Sequence, residues 1–402
     1  MKKQFIFVAL AMLFGLNLAY GAEKLIILAR GGSHVDVLNM AVGEFKKTHK
    51  DVEVKILGLE NSDLKQKIAL DSRNKKGIYD IVMIDDPWMN EFVEGGVLHN
   101  LSKDGYTADS DFLSKSMDIG RYPYAEGEIY ALPFSGNVQF MFYNKDLLSE
   151  LKAEVPTTWD SVLKLSKKAK EAGKLGYVVR GQQGNPIVSD FLPILWAFGG
   201  DVLNKENTIS TIDSKEALEA LNFYIELSKT GANYEKSDIV SSVSSGKALF
   251  SLGWPSWYIS GNGSTAEYAL IPSKVNESLK ENATGMIGNW MIGVTENSTN
   301  KKLATEFLIL ATSKDIQKMA ISKGGVPTRK SVTSDSEILK TYPYLKTLEN
   351  ATQNSVVRPR TILWGEVEKV LGIELSSALS GKISPADALK NAKSAIDKIV
   401  SK

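Results

Sequence analysis

Leu25-Ile26-Ile27-Leu28-Ala29 is a short all-apolar run, stopped by Gly31-Gly32 and followed by Ser33-His34-Val35-Asp36. A strand covered on both faces reads as an unbroken apolar run, whereas a half-exposed strand alternates. The spacing of Ser33 and Asp36 fits a capping box that opens a helix. Val37, Leu38, Ala41, Val42 and Phe45 then recur at helical spacing. The pattern repeats downstream. Val52, Val54 and Ile56 alternate with Glu53 and Lys55 as a second strand, and Asn61 or Ser62 can cap a helix from Leu64 to about Arg73. Asp80-Ile81-Val82-Met83-Ile84 reads as a third strand, again almost wholly apolar. Strand, helix, strand, helix, strand with short connections predicts a parallel α/β unit.

Ligands of such units bind at the carboxyl ends of the strands. Those ends carry Arg30-Gly31-Gly32-Ser33-His34, Gly58-Leu59-Glu60-Asn61 and Asp85-Asp86-Pro87-Trp88. Two more strand-like runs, Ile129 to Phe134 and Val138 to Tyr143, flank Ser135-Gly136-Asn137, where a crossover can carry the chain into a second lobe. Helical patterns follow at Trp159–Ala172, Asp190–Phe198, Glu216–Lys229, Lys301–Ala311, Asp315–Ile321, Trp364–Leu379 and Ala386–Val400. Strands are expected at Gly176–Val179 and at Ala248–Leu252, the latter ending in Gly253-Trp254-Pro255-Ser256-Trp257-Tyr258. No internal repeat or low-complexity linker interrupts the chain, so short hinges are expected between lobes.

Lys2 and Lys3 lead an apolar run from Phe5 to Leu18, and Ala19-Tyr20-Gly21 places small residues where a signal peptidase reads. The run is shorter than the ~20 residues a membrane span needs, so residues 1–21 are expected to be a secretory signal cleaved after Gly21. The absence of cysteine excludes disulfides, thiolate nucleophiles, Cys-ligated zinc and a lipid on a cleavage-site Cys. A freely diffusing periplasmic monomer is the expectation. The 48 basic and 47 acidic side chains balance to +1. That balance argues against nucleic acid or an anionic membrane as the main partner.

Catalytic patterns are missing. His34, His49 and His99 are the only histidines, and no two have metal-ligand spacing. The chain has no nucleophile elbow, no Walker phosphate loop and no His-Glu-x-x-His. Gly261-Asn262-Gly263-Ser264-Thr265-Ala266 fits the loose dinucleotide pattern but follows an aromatic turn and leads into no helix. No cofactor or metal is expected. Asp85 or Asp86 with Glu60 could act as glycosidase carboxylates. Their plainer role is to cap the helix that Pro87 begins. Trp88, Trp254, Trp257 and Trp290 lie at strand ends or glycine-rich turns, off any helical core stripe, whereas Trp159 and Trp196 fall within helices. An indole there offers a flat apolar face to the C–H face of a sugar ring, with carboxylates and amides meeting the hydroxyls at its edge. Core packing is the alternative for each. His34 could donate to a ligand from its helix start or simply face solvent.

The motifs together resemble the extracellular solute-binding proteins of sugar ABC transporters, the group of maltose, trehalose and glucose binders. They run from Tyr79-Asp80-Ile81-Val82-Met83-Ile84-Asp85 with Pro87-Trp88 and Phe92-Val93-Glu94-Gly95-Gly96-Val97-Leu98 to Ile129-Tyr130-Ala131-Leu132-Pro133 and Phe142-Tyr143-Asn144-Lys145-Asp146-Leu147-Leu148. Pro156-Thr157-Thr158-Trp159, Gly246-Lys247-Ala248-Leu249-Phe250, Gly288-Asn289-Trp290, Val326-Pro327-Thr328-Arg329 and Arg358-Pro359-Arg360 continue the series. The resemblance implies a two-lobed α/β periplasmic-binding fold, with a mixed, mainly parallel sheet in each lobe and hinge strands between. It places residues 22–134 and 286–327 in one lobe and 135–285 and 328–402 in the other. Closure would bury a sugar or sugar alcohol and present it to a permease of the inner membrane with its ATPase. Asp85 and Asp86 would accept hydrogen bonds from hydroxyls, Trp257, Tyr258 and Trp290 would stack, and Arg360 would donate. His34, Glu60, Asn137, Trp254 and Asn289 complete the expected ligand contacts. Two features depart from the family: Asn289 where many relatives have glycine, and a second carboxylate at Asp86. Both open the way to a polyol or a modified sugar. A secreted carbohydrate-active hydrolase is the rival reading, and a scaffold that kept the fold without the pocket is a third.

Overall fold

The computed structural model describes residues 23–257, 264–279, 281–282 and 285–401. The signal segment, Tyr258 and Gly261 to Gly263 lie outside the described residues. The strands are β1 (Lys24–Arg30), β2 (Glu53–Leu59), β3 (Ile81–Asp85), β4 (Arg121–Tyr122), β5 (Glu128–Ile129), β6 (Leu132–Ser135), β7 (Phe140–Asn144), β8 (Leu175–Val178), β9 (Ala248–Gly253), β10 (Ala266–Ala269) and β11 (Trp290–Val294). One sheet has the order β2-β1-β3-β11-β6 and a second has β10-β7-β9-β8, with β4 and β5 a separate pair. Strand β1 is parallel to β2 and β3, and β11 is antiparallel to β3 and β6. In the second sheet β7 opposes β10 and β9, while β8 is parallel to β9. Each main sheet is therefore mixed, with a single strand running against the rest. All five residues of β3, in the middle of its sheet, are buried, and the edge strand β2 has none that is. The uninterrupted and alternating sequence patterns have this origin.

The helix starts differ from the expected ones. Gly32, at φ +77°, is the N-cap of the helix Ser33–Phe45, and no side chain caps it. Glycine alone adopts that backbone angle freely, so the turn is made one residue before the capping box. The helix Asn61–Asp71 likewise has no side-chain cap: its N-cap is Glu60, whose carboxylate turns to Arg30, and Asn61, already inside the helix, donates its amide to Asp85 Oδ2 at 3.2 Å. Nor does Asp85 cap the short turn Asp86–Trp88. The strand by Gly288-Asn289-Trp290 begins at Trp290 and does not precede it; Met286 and Ile287 form only isolated bridges, to Val356 and Val138.

Those bridges are the hinge. Three segments lie side by side between the sheets, around Asn137, Ile287 and Val356. Gly288 N donates to Asn137 O at 2.9 Å, Gln139 N to Met286 O at 3.0 Å, and Ile287 N to Val356 O at 3.0 Å. Two hydrophobic cores flank it. One surrounds the first sheet and the helices Ser33–Phe45 and Lys301–Ala311 and continues onto the second sheet at Phe140, Phe142, Val178 and Ala248; the other packs Trp159, Tyr177, Phe191 and Leu221 against the C-terminal helices Trp364–Leu379 and Pro385–Val400. Among the described residues no helix is long and apolar enough to cross a membrane.

Candidate functional site

The carboxyl ends of β1, β2 and β3 form one edge of the first sheet, and β11, running the other way, brings its first residue to the same edge. Trp290 pairs in register with Asp85. The Trp290 ring lies 5.9 Å from Trp88, edge-on at 87°, and 5.6 Å from the His34 imidazole. The His34 ring in turn lies 6.4 Å from Phe134. Trp88 and Trp290 are both largely buried, so much of each indole serves packing as well as the edge.

His34 is buried with Nε2 unpartnered. Burial lowers its pKa from 6.5 to about 4, and the charges of Arg30 and Lys236 push the same way. The ring is therefore neutral near pH 7. A depressed base contributes stability above pH 6.5 that is lost as pH falls toward about 4, because the unfolded chain binds the proton more readily. Asp86 works in the opposite sense over the same window, as shown below. Between pH 7 and 4.5, His34→Gln should thus gain stability relative to the parent, by about 3 kcal/mol at most. Urea unfolding at several pH values checks this; parallel profiles for the two proteins would refute it.

Asp85 and Asp86 end the β3 edge on a buried ionic centre. Arg358 Nη2 lies 3.0 Å from Asp85 Oδ1 and 3.0 Å from Asp86 Oδ2. Asp86 is fully buried, and its contact with Arg358 is an ion pair without hydrogen-bond alignment. Arg360 Nη1 donates to the Asp86 carbonyl at 3.0 Å and lies 3.7 Å from its carboxylate. Glu368, which accepts from Asn185 Nδ2 at 2.9 Å, stands 4.0 Å from Arg358 Nη1. Burial, reinforced by the Asp85 charge, raises the Asp86 pKa to about 6 against the pull of Arg358 and Arg360. Both carboxylates thus have internal partners, and the arginines that hold them follow directly on Val356, one of the three segments of the hinge.

The remaining expected contacts fall into three groups. Trp254 and Trp257, at the end of β9, are half-buried; the Trp254 ring lies so close to Gly288 that a Cβ there would come within 2.5 Å of it. Glu60 is exposed and paired with Arg30 at 2.6 Å, which holds its carboxyl below the usual range. Arg360 stacks over Tyr124 at 5.2 Å and keeps Nε and Nη2 buried and unpartnered. Asn289 and Asn137 are buried: the amide of Asn289 donates to Ser116 Oγ at 2.7 Å, and Asn137 Oδ1 has no partner. Arg358 was legible only as part of Arg358-Pro359-Arg360; its doubling of charge beside Asp85-Asp86 was the available signal. Arg180 and Lys236, both close to the Trp257 ring, carried no motif.

Residues 31–318 match the family of bacterial extracellular solute-binding proteins, and the chain belongs to that family. A Deinococcus radiodurans chain named "Probable ABC transporter-binding protein" is 24% identical over 295 residues, covering 68% of this chain and 69% of that one. The mannitol-binding protein of Pseudomonas aeruginosa is 24% identical over 416 residues, covering 94% of this chain and 93% of its own. Among solved structures, maltose-bound MalE3 of T. maritima has a TM-score of 0.84 at 27% identity and covers 94% of this chain and 100% of its own. These relatives are binding proteins.

Proposed function

We propose that the protein is the solute-capture component of an ABC importer, closing on a sugar or sugar alcohol and passing it unchanged to an inner-membrane permease. The observation that carries this reading is that each sheet brings indoles to its end beside a three-segment hinge: Trp88 and Trp290 lie edge to face at the first sheet, and Trp254, whose ring lies against Gly288, and Trp257 follow β9 of the second. The mannitol and maltose specificities of the relatives support the class of solute. The lobes take residues 22–134 and 286–327, and 135–285 and 328–402, and the short helices of 330–354 lie against both sides. Arg329 pairs with Asp109 and Asp111 of the first lobe, while the helix Tyr344–Asn354 touches β10 of the second. The hydrolase reading lacks a free acid–base pair, since Asp85 and Asp86 face Arg358 and Glu60 faces Arg30. The exported protein is a periplasmic monomer starting at Ala22 without lipid.

Mass spectrometry of solute co-purified with the native protein identifies the ligand. Titration of that solute should change tryptophan fluorescence with micromolar affinity, equivalent to about −8 kcal/mol. Release of reducing ends from a glycoside, abolished in Asp85→Asn, would make the protein an enzyme instead. N-terminal sequencing of periplasmic material should begin at Ala22; Met1 at that end would refute the export reading.

A further inference from the structure

The second lobe places two cations beside Trp257 that no carboxylate pairs with at ion-pair distance. Arg180 follows β8, and its backbone N–H donates to Asp190 Oδ2 at 3.0 Å, which fixes the start of the side chain. Its guanidinium lies 4.8 Å from the centre of the Trp257 ring, and Lys236 Nζ lies 5.5 Å from the same centre. The other basic groups here are paired: Arg30 with Glu60, Lys65 with Glu91, and Arg358 and Arg360 with Asp85 and Asp86. Among the described residues no carboxylate comes within ion-pair distance of Arg180 or Lys236. Asp190, Glu235 and Glu368 act on Arg180 only through space, and Glu60 acts so on Lys236.

A cation taken out of water without a partner is costly, and one indole face recovers only part of that cost. Burial lowers the pKa of Arg180; burial lowers that of Lys236 too, with help from Arg30 and Arg180. Positive groups that repel one another have therefore been gathered around a single aromatic ring. A neutral solute on Trp257 would remove still more water from them and return no charge. An anionic one would bridge them, since a guanidinium fork suits either a carboxylate or a phosphate and an ammonium adds a point charge.

We propose that the solute is an acidic carbohydrate, whose carboxylate or phosphate lies between Arg180 and Lys236 while its ring rests on Trp257. This rests on the reading of the cleft as a carbohydrate site. The test is calorimetric titration of the full mature protein with a set of hexoses, their uronates and their 6-phosphates, together with mannitol. At least one acid should bind a hundredfold or more tightly than its neutral parent, and added salt should weaken it. Whether the uronate or the 6-phosphate does so tells carboxylate from phosphate. Arg180→Gln and Lys236→Gln should each reduce that preference about tenfold, with the urea midpoint confirming a folded protein. A neutral hexose or mannitol that binds as tightly as any acid overturns the proposal and leaves the carbohydrate reading standing. A preference for acid untouched by both substitutions overturns it as well. Binding of no member of the set, acidic or neutral, removes the proposal together with the reading beneath it.

Discussion

Replacing Arg358 by methionine should destabilise the protein by about 3–5 kcal/mol at pH 7, the usual consequence of leaving buried charges without their partner. Arg358 is almost wholly buried, and a single Nη2 faces both Asp85 and Asp86 at 3.0 Å. Its removal leaves two adjacent carboxylates, one of them fully buried, with only Arg360 nearby. Methionine keeps much of the volume, so the loss reports charge more than packing. The pH dependence separates this from a simple cavity. The Asp86 pKa is already raised to about 6 from 3.8, so its contribution to stability is full below pH 3.8 and declines as pH rises through about 6. Without Arg358 that pKa should climb further, and the gap between variant and parent should narrow on going from pH 7 to pH 5. Asp86→Asn alone should cost less, because Arg358 keeps Asp85. In the double variant the losses should fall short of additivity. Urea unfolding across this pH range decides the matter; a loss of equal size at pH 5 and pH 7 would show that the arginine is held by packing alone.

The same cluster shows what sequence reading can and cannot reach. Strands β1 and β3 were legible because both faces are covered, so nothing broke the apolar run. The helix Trp364–Leu379 matched its expected ends for the complementary reason, a long stripe with six buried positions. The helix Lys236–Ser244 was not legible. Its serines and β-branched residues are poor helix formers, and it is held by tertiary burial of Ile239 and Val243. The edge carrying Asp85, Asp86 and His34 followed from strand order, but the partners of the carboxylates did not. Arg358 lies 273 residues from Asp85 in sequence, and nothing local signals that a hinge segment will return there. Trp290 was legible as a mouth residue for a reason the periodicity hid. Strand β11 runs antiparallel, so the start of that strand, not its end, reaches the carboxyl edge of β3.

Trp290→Ala should remove about 3–5 kcal/mol of stability, the range for truncating a buried indole, and weaken ligand binding about tenfold or more. The ring is only 8% exposed, so most of its area is core, and its neighbours are His34 at 5.6 Å and Trp88 at 5.9 Å. Trp290→Phe, which restores a smaller aromatic face, should recover part of both losses. His34 supplies an independent readout. Burial holds its pKa near 4, and deleting the indole beside it opens a path for water to the unpartnered Nε2. In Trp290→Ala the His34 resonance should therefore titrate closer to 6.5, and NMR can follow it among only three histidines. The three measurements are separable. Lost stability and a risen His34 pKa with unchanged affinity in the native fraction would make Trp290 a packing residue only, and the stacking face would then belong to Trp257. Lost affinity together with the other two would place the ligand against the indole that also keeps His34 dry. Binding would then raise the cost of protonating His34, and affinity should weaken as pH falls through about 4, where the free protein takes up that proton.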